Sequence, residues 1–235
     1  MTQRITHIGF DADDTLWHCE DLFFEARERL QKLLPDRSIK EVTNTVYDVE
    51  GRNLERYGYG VKSFILSLVE AYLVLKKRVD SAEIEELLDT GKSIMDSPAR
   101  VFEGVPNTLE QLSQHFKLLL ITKGDLVDQE RKIENSKLAK YFEFISIISE
   151  KTPQAYVEIL EDKGISPNNF IMIGNSVKSD IVPVLDIGGH AIQILYKYTW
   201  MHEEHPAGRF VKPYAVLDSI AAVPDFLKEL EKTRE

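Results

Sequence analysis

From residue 102 onwards, short apolar runs alternate with helical segments, and this alternation constrains the fold more than any other feature of the chain. The runs cover residues 117–122, 144–148, 170–174, 191–195 and 214–216. They do not alternate between apolar and polar residues, so we expect strands that are buried on both faces. Strands and helices that alternate at this spacing predict an α/β fold with a doubly wound parallel sheet and helices on both faces.

The chain before residue 102 has a different pattern. The apolar run 5–10 is expected to form the first strand of the same sheet. From residue 20 to about 97, apolar residues recur every three to four positions, which predicts helices. We expect four of them: one that ends at Pro35, one over 39–56 that stops at the glycine turn 58–60, one over 64–75, and one after a cap at Ser81.

Four helices of this length are expected to pack as a small bundle. The bundle would then be inserted between the first strand and the rest of the sheet. We therefore expect an α/β core domain formed by residues 1–17 and 98–235, and a helical domain formed by residues 18–97.

Polar residues follow the first apolar run directly, in the segment DADDT at 11–15. Asp11 and Asp13 are two residues apart, so on an extended segment they share a face. Open α/β sheets place their chemistry in loops at the carboxyl ends of strands. One carboxylate can attack phosphorus while the other carries a proton. A solvated acidic turn is the simpler interpretation, and an Asp-x-Asp pair alone would favour it.

Three further segments follow in a fixed order. Thr122 ends the apolar run LLLIT, Lys151 lies in SEKTP, and Asn175 and Asp180 follow the apolar run IMIG. A lone threonine after a strand is more often a helix cap, and a lone lysine is more often a surface residue. The order and setting of all four segments favour one shared site.

With these four motifs, the chain resembles the haloacid dehalogenase (HAD) superfamily from Ile5 to about Val216. That family has an Asp-x-Asp after its first strand, a Thr or Ser after its second, a Lys, and an acidic metal motif. The resemblance implies a Rossmann-like core with a helical cap inserted after the first motif. It also implies a hydrolase that uses Mg²⁺.

The resemblance implies a role for each motif residue. Asp11 would be the nucleophile that takes up the phosphoryl group, and it would also be a magnesium ligand. Asp13 would protonate the leaving oxygen and then activate water, and its backbone carbonyl would be a second metal ligand. Lys151, together with the metal, would offset the repulsion between a carboxylate and a phosphate dianion.

The remaining motifs would bind the phosphoryl group and the metal. Thr122 and the backbone amides of Lys123 and Gly124 would hold the non-bridging phosphate oxygens. Asn175 stands where many members of the family have an aspartate, and Asp180 is the only acid that this motif keeps. An amide oxygen can bind Mg²⁺ but brings no charge. Either Asn175 or Asp180 is therefore expected to be the metal ligand.

Asp13 separates two chemistries within the resembled family. Dehalogenases lack an acid at this position because a halide leaves without a proton, whereas cleavage of a phosphate ester needs one. We therefore expect a magnesium-dependent phosphatase that forms an aspartyl phosphate. The alternatives are a 2-haloacid dehalogenase and a non-catalytic binding module with the same fold. The module would be expected to lose Asp11, Asp13 or Lys151.

The expected substrate is a small phosphorylated metabolite, either a sugar phosphate or a nucleoside monophosphate. The loop 56–62 (RYGYGVK) combines glycines, tyrosines and cations between two helices, so Lys62 is a candidate substrate ligand. Packing of the two tyrosines is the simpler interpretation of this loop. His202 and His205 lack a complete set of zinc ligands. We expect a surface loop there, with Trp200 and Glu203 as weaker candidates for substrate contact.

Composition excludes several classes of partner. The chain has 29 Lys and Arg against 39 Asp and Glu, a net charge of -10, and its cations are scattered, so nucleic acid is not an expected partner. Cys19 is the only cysteine, which excludes an internal disulfide and fits a reducing compartment. The apolar stretches are too short for a signal peptide or a membrane span. We expect a cytoplasmic monomer or homodimer.

Overall fold

The predicted parallel sheet and helical bundle are both present in the computed structural model, which describes residues 4–198, 200–203 and 214–232. In chain order, its strands and α-helices are β1 (His7–Phe10), β2 (Trp17–His18), α1 (Glu20–Leu33), α2 (Ile39–Tyr57), α3 (Val61–Leu75), α4 (Ser81–Asp96), β3 (Arg100–Val101), α5 (Val105–Ser113), β4 (Lys117–Lys123), α6 (Leu126–Ser136), β5 (Phe144–Ile148), α7 (Pro153–Asp162), β6 (Phe170–Gly174), α8 (Val182–Asp186), β7 (His190–Ile194), β8 (Ala215–Leu217) and α9 (Val223–Lys232).

Six strands form the main sheet, in the order β5-β4-β1-β6-β7-β8, and every neighbouring pair is parallel. The central strands are buried on both faces, as predicted. The edge strands are not, because Ile145 on β5 is 41% exposed and Val216 on β8 is 49% exposed. An edge strand has a neighbour on one side only, and a run of three to five residues is too short for its sequence to show which side chains face solvent.

The four bundle helices pack around a core of their own, which includes Leu30, Val46, Leu68 and Leu87, each fully buried. These residues come from α1, α2, α3 and α4 respectively, so each helix contributes one apolar face. The fourth helix begins as predicted, but its cap is Asp80, whose side chain accepts from the backbone N–H of Ala82 at 2.9 Å.

A two-stranded antiparallel ribbon of β2 and β3 lies where the chain enters and leaves the bundle. Trp17 pairs with Val101, and His18 pairs with Arg100. Two-residue strands carry no periodic signal, so the sequence did not predict them. The ribbon therefore joins, by backbone pairing, the segment that leads from the sheet into the bundle and the segment that leads back to the sheet.

All strands of the main sheet are parallel, so their carboxyl ends lie along the same side of the sheet. The segments after β1, β4, β5 and β6 carry the four sequence motifs, and this topology brings them to one place. No helix in the described part of the chain combines the length and the apolar composition that crossing a membrane requires.

Candidate active site

A cavity of about 160 Å³ lies between the carboxyl ends of the strands and the helical bundle. The sheet contributes all the motif residues to its lining: Asp11, Asp13, Thr122, Lys123, Gly124, Lys151, Asn175 and Asp180. The bundle closes the opposite side with residues from α1, α2, α3 and the turn at 58–60. A ligand bound to the motifs would therefore be covered by the bundle.

The loop after β1 is a tight turn that aims its carboxylates at the cavity. The carbonyl oxygen of Ala12 accepts from the backbone N–H groups of Thr15 and Leu16 at 3.3 and 2.8 Å. Asp14 has a left-handed backbone with φ of 59°. Its carboxylate accepts from the backbone N–H of Cys19 at 2.8 Å and holds the start of α1. Asp14 is thus a turn and capping residue.

Lys151 joins two acidic motifs. Its buried ammonium donates to Asp11 Oδ1 at 2.5 Å and to Asp180 Oδ1 at 2.6 Å. Burial would lower the pKa of Lys151, but the two carboxylates outweigh it and hold that pKa well above its usual range. Burial raises the pKa of Asp180, against the opposing effect of Lys151. One positive charge therefore pairs with two carboxylates in a buried site.

Asp13 is held by two donors. The Trp17 indole donates to its Oδ1 at 2.6 Å, and Lys132 Nζ lies 3.1 and 3.0 Å from its two oxygens. Lys132 also donates to Gln129 Oε1 at 2.9 Å. Burial would lower the pKa of Lys132, but Asp13 and its other acidic neighbours raise it. Lys132 was not among the residues predicted from the sequence. It lies one helical turn after Gln129 on the helix that follows Thr122, and this position was the only sequence signal for a place near the site.

The segment at the end of β4 faces the cavity with its side chains already paired. Thr122 is buried, and its hydroxyl accepts from Gln129 Nε2 at 2.6 Å. Lys123 Nζ lies 4.3 Å from the centroid of the Tyr59 ring, so a cation from the sheet meets an aromatic residue from the bundle. Gly124 has a φ of 152° and lies against Gln129.

Glu203 reaches into the same cavity from the loop after β7. It forms an ion pair with Lys123 and accepts from the hydroxyls of Ser176 and Ser179. Burial opposes ionisation, but the Lys123 charge and these hydrogen bonds lower the pKa of Glu203. From the sequence, Glu203 and Trp200 were only weaker candidates for substrate contact. In the structure both residues line the cavity.

Thr15 lies beside an oxygen atom from each of two motifs. Its hydroxyl lies 3.0 Å from Asp11 Oδ2 and 3.4 Å from Asn175 Oδ1. The oxygens of Asp180 are engaged elsewhere, since Oδ1 accepts from Lys151 and Oδ2 accepts from the backbone N–H of Ser176 at 3.0 Å. Within the described residues no cluster of three or more His, Cys, Asp or Glu side chains has an arrangement that could hold a metal ion. An ion here would need amide, carbonyl and water oxygens as well, which Mg²⁺ accepts.

The bundle loop 56–62 divides into two parts. Gly58, Tyr59 and Gly60 line the cavity. Lys62 is absent from that lining, because its side chain is 57% exposed and pairs with Asp125 at 2.8 Å. The structure therefore does not bring Lys62 together with the other candidate residues.

Of the two histidines in the loop after β7, His202 packs against the bundle, where its Nε2 lies 3.2 Å from the carbonyl oxygen of Tyr47. His205 lies outside the described residues.

The site thus combines the buried Asp11 carboxylate, which is bound by the Lys151 ammonium, with the Asp13 carboxylate, which is bound by the Trp17 indole and by Lys132. Such an arrangement suits attack by Asp11 on an electrophile and proton transfer by Asp13. It also excludes bulk water once the bundle covers a ligand.

Comparison with known proteins shows which family the chain resembles. The family model of haloacid dehalogenase-like hydrolases matches residues 5–184. A haloacid dehalogenase-like family hydrolase from Xanthomonas campestris has 30% sequence identity and a TM-score of 0.83, and 98% of each chain is covered. N-acylneuraminate-9-phosphatase from Rattus norvegicus is 24% identical, over 97% of this chain and 96% of the relative. A 2-haloacid dehalogenase from Pseudomonas syringae shares the fold, at 22% identity and a TM-score of 0.61, with 96% of this chain and 99% of the other covered.

The family model covers more than three quarters of the chain and spans all four motifs. The Xanthomonas structure matches over both the sheet and the bundle. The protein belongs to the haloacid dehalogenase-like hydrolases.

Proposed function

We propose that this hydrolase is a magnesium-dependent phosphatase that acts on a small phosphorylated metabolite through an aspartyl phosphate on Asp11. The observation that carries the proposal is the contact of Lys151 with both Asp11 and Asp180, at 2.5 and 2.6 Å, at the base of a covered cavity. A buried carboxylate beside an ammonium can approach a phosphate dianion that it would otherwise repel.

In this proposal Asp11 Oδ2 and Asn175 Oδ1 would hold Mg²⁺ together with the backbone carbonyl of Asp13. The ion, when bound, would neutralise charge on the phosphoryl oxygens. Asp180 would position Lys151 rather than bind the metal, because both its oxygens already accept hydrogen bonds from the protein. Thr122 and the backbone amide of Lys123 would bind the remaining phosphoryl oxygens, whereas the Gly124 N–H already donates to the carbonyl oxygen of Ile148 at 3.3 Å.

The chemistry would proceed in two steps on this chain's own residues. Asp11 attacks phosphorus and the bond to the leaving oxygen breaks, while Asp13 gives that oxygen a proton. Asp13 then takes a proton from water, which attacks phosphorus and releases Asp11 with inorganic phosphate. The Asp13 carboxyl group is bound by Lys132 and by the Trp17 indole, so the leaving oxygen would have to displace one of these contacts to reach it.

The presence of Asp13 favours phosphate esters over haloacids, because only the former need a proton on the leaving group. The relatives named N-acylneuraminate-9-phosphatase are consistent with this choice, and they favour a sugar phosphate over a nucleoside monophosphate as the substrate. Burial of Cys19 as a free thiol is consistent with a cytoplasmic protein.

The test is release of inorganic phosphate from an aryl phosphate, with Mg²⁺ and with excess chelator, by the wild-type protein and by Asp11→Asn. We expect turnover only for the wild-type protein with Mg²⁺. Equal turnover in chelator would contradict the metal dependence. Chloride release from 2-chloropropionate without phosphate release would instead identify a dehalogenase.

A further inference from the structure

Three charged side chains are buried on the bundle side of the cavity. Glu20 and Arg27 come from α1 and Glu50 comes from α2, and they are 8%, 2% and 6% exposed. Glu20 and Glu50 line the same cavity as Asp11. None of the four sequence motifs includes them, and the two-step chemistry proposed above does not use them.

The hydrogen bonding of this cluster is incomplete. Arg27 Nη2 donates to Glu20 Oε1 at 2.5 Å, and its guanidinium carbon lies 5.0 Å from the centroid of the Tyr47 ring. Arg27 Nε, Arg27 Nη1 and Glu50 Oε2 are buried without a hydrogen-bond partner among the described residues. The Trp200 side chain hydrogen-bonds to the Glu50 carboxyl, so only part of that group is satisfied.

Buried polar atoms without partners are rare in folded proteins and destabilise them. Arg27 does not line the cavity, so its role is to hold Glu20. Glu50 does line the cavity, so a rotation of its buried carboxyl group would present the free oxygen to a donor on a bound ligand. A protein keeps such an atom where a ligand completes it.

The charges of the cluster select the kind of donor. Arg27 and Glu20 act on Glu50 with opposite charges, so the cluster has no net charge to attract an ammonium when the Glu50 carboxyl is protonated. Burial raises the pKa of Glu50 to about 7, so its carboxyl both accepts and donates near neutral pH. A hydroxyl group also does both, and it carries no charge to bury.

We propose that Glu50, together with Glu20 held by Arg27, forms a subsite that hydrogen-bonds hydroxyl groups of the leaving group, so that the preferred substrates are phosphate monoesters of polyhydroxylated molecules. The inference rests on the proposed phosphatase function. It adds the part of the substrate that the phosphoryl-binding motifs do not recognise.

The test compares esters that differ in their hydroxyl groups alone. Sorbitol 6-phosphate and hexyl phosphate have the same chain length, and 6-aminohexyl phosphate presents an ammonium instead. For the wild-type protein we expect kcat/KM for sorbitol 6-phosphate to exceed that for hexyl phosphate by about 10-fold or more, since one or two hydrogen bonds in a buried site are worth that factor.

The Glu50→Leu variant should lose most of this preference, so that its ratio of kcat/KM values for sorbitol 6-phosphate and hexyl phosphate falls towards one. Glu50→Gln keeps one acceptor oxygen and should fall between the two, and it gives the same comparison if the leucine variant does not fold. Asn53→Ala is the matched control. Asn53 lies on the same helix, is 7% exposed and bonds to Ser67 at 3.1 Å, but it is not among the residues that line the cavity. The control should keep the wild-type ratio.

An unchanged ratio in both Glu50 variants would overturn the subsite, and so would a wild-type preference for 6-aminohexyl phosphate. Both results require an active enzyme. Failure of the proposed function looks different, because then no ester, including an aryl phosphate, releases phosphate, and the inference is lost with it.

Discussion

Replacement of Lys151 by methionine should destabilise the protein by about 3–5 kcal/mol above pH 7, because it leaves two buried carboxylates without their cation. At 2.5 and 2.6 Å, each ion pair is worth about 6 kcal/mol at an effective dielectric constant of about 20, and the cost of burying Lys151 offsets much of that sum. Asp11 and Asp180 would then repel each other, and the pKa of Asp180 would rise further because Lys151 no longer lowers it. The cost should therefore be smaller at pH 5, where protonation relieves the repulsion, than at pH 8.

The assay is urea unfolding of the wild-type protein, Lys151→Met and Lys92→Met, at pH 5 and pH 8 in chelator. Lys92 is a matched control because its ion pair with Asp89 is 66% exposed on both sides. The double variant Lys151→Met with Asp180→Asn should be more stable than Lys151→Met alone. A loss below about 1 kcal/mol at pH 8, or a loss that does not depend on pH, would refute the assignment of Lys151 as the common partner of the two carboxylates.

Four further outcomes follow from the same contacts. Asp13→Asn should lower turnover by about 10²–10⁴-fold, the usual contribution of general acid-base catalysis, with little change in the unfolding midpoint. Lys62→Ala should leave KM unchanged within about twofold for aryl and sugar phosphates, since Lys62 pairs with Asp125 outside the cavity. A rise in KM for the sugar phosphate alone would show that Lys62 binds the substrate. Because the pKa of Glu50 is raised, the free energy of unfolding of the wild-type protein should fall as the pH rises from about 4.5 to about 7. The free energy of unfolding of Glu50→Gln relative to the wild-type protein, measured by thermal unfolding, should therefore be about 1–3 kcal/mol higher at pH 8 than at pH 5. Asn175→Asp adds a negative charge beside Asp11 and should lower the magnesium concentration that gives half-maximal activity; a titration with an unchanged midpoint would remove Asn175 from the metal site.

The closeness of the motif residues could be predicted from the sequence because it depends on topology alone. Asp11, Thr122, Lys151 and Asn175 each follow an apolar run, and parallel strands bring their carboxyl ends to one side of a sheet. No knowledge of side-chain geometry was needed for that step. The insertion of the helical segment between the first strand and the rest of the sheet was also predicted from the sequence pattern, whereas its role as a cap was implied by the resemblance to the family.

The partners of those residues could not be predicted in this way. Lys132 meets Asp13 across 119 positions of sequence, and Glu203 meets Lys123 across 80. Such pairs depend on how a helix or loop is rotated, which no periodic pattern encodes. Lys62 shows the opposite case, because the composition of its loop suggested a ligand site, but its side chain is directed to Asp125.

The buried charged cluster on the bundle helices could not be predicted from the sequence for a similar reason. Glu20, Arg27 and Glu50 fall on helices where charged residues are ordinarily solvent-facing. Only the packing of α1 against α2 shows that they are buried.

Chemical trapping of the phosphorylated residue tests the central claim most directly. Borohydride reduces an aspartyl phosphate to homoserine, which peptide mass spectrometry locates in the sequence. With an aryl phosphate and Mg²⁺ present, homoserine should appear at position 11 in the wild-type protein, and it should be absent in chelator and in Asp11→Asn. Continued turnover without homoserine at position 11, or homoserine at another aspartate, would contradict the account.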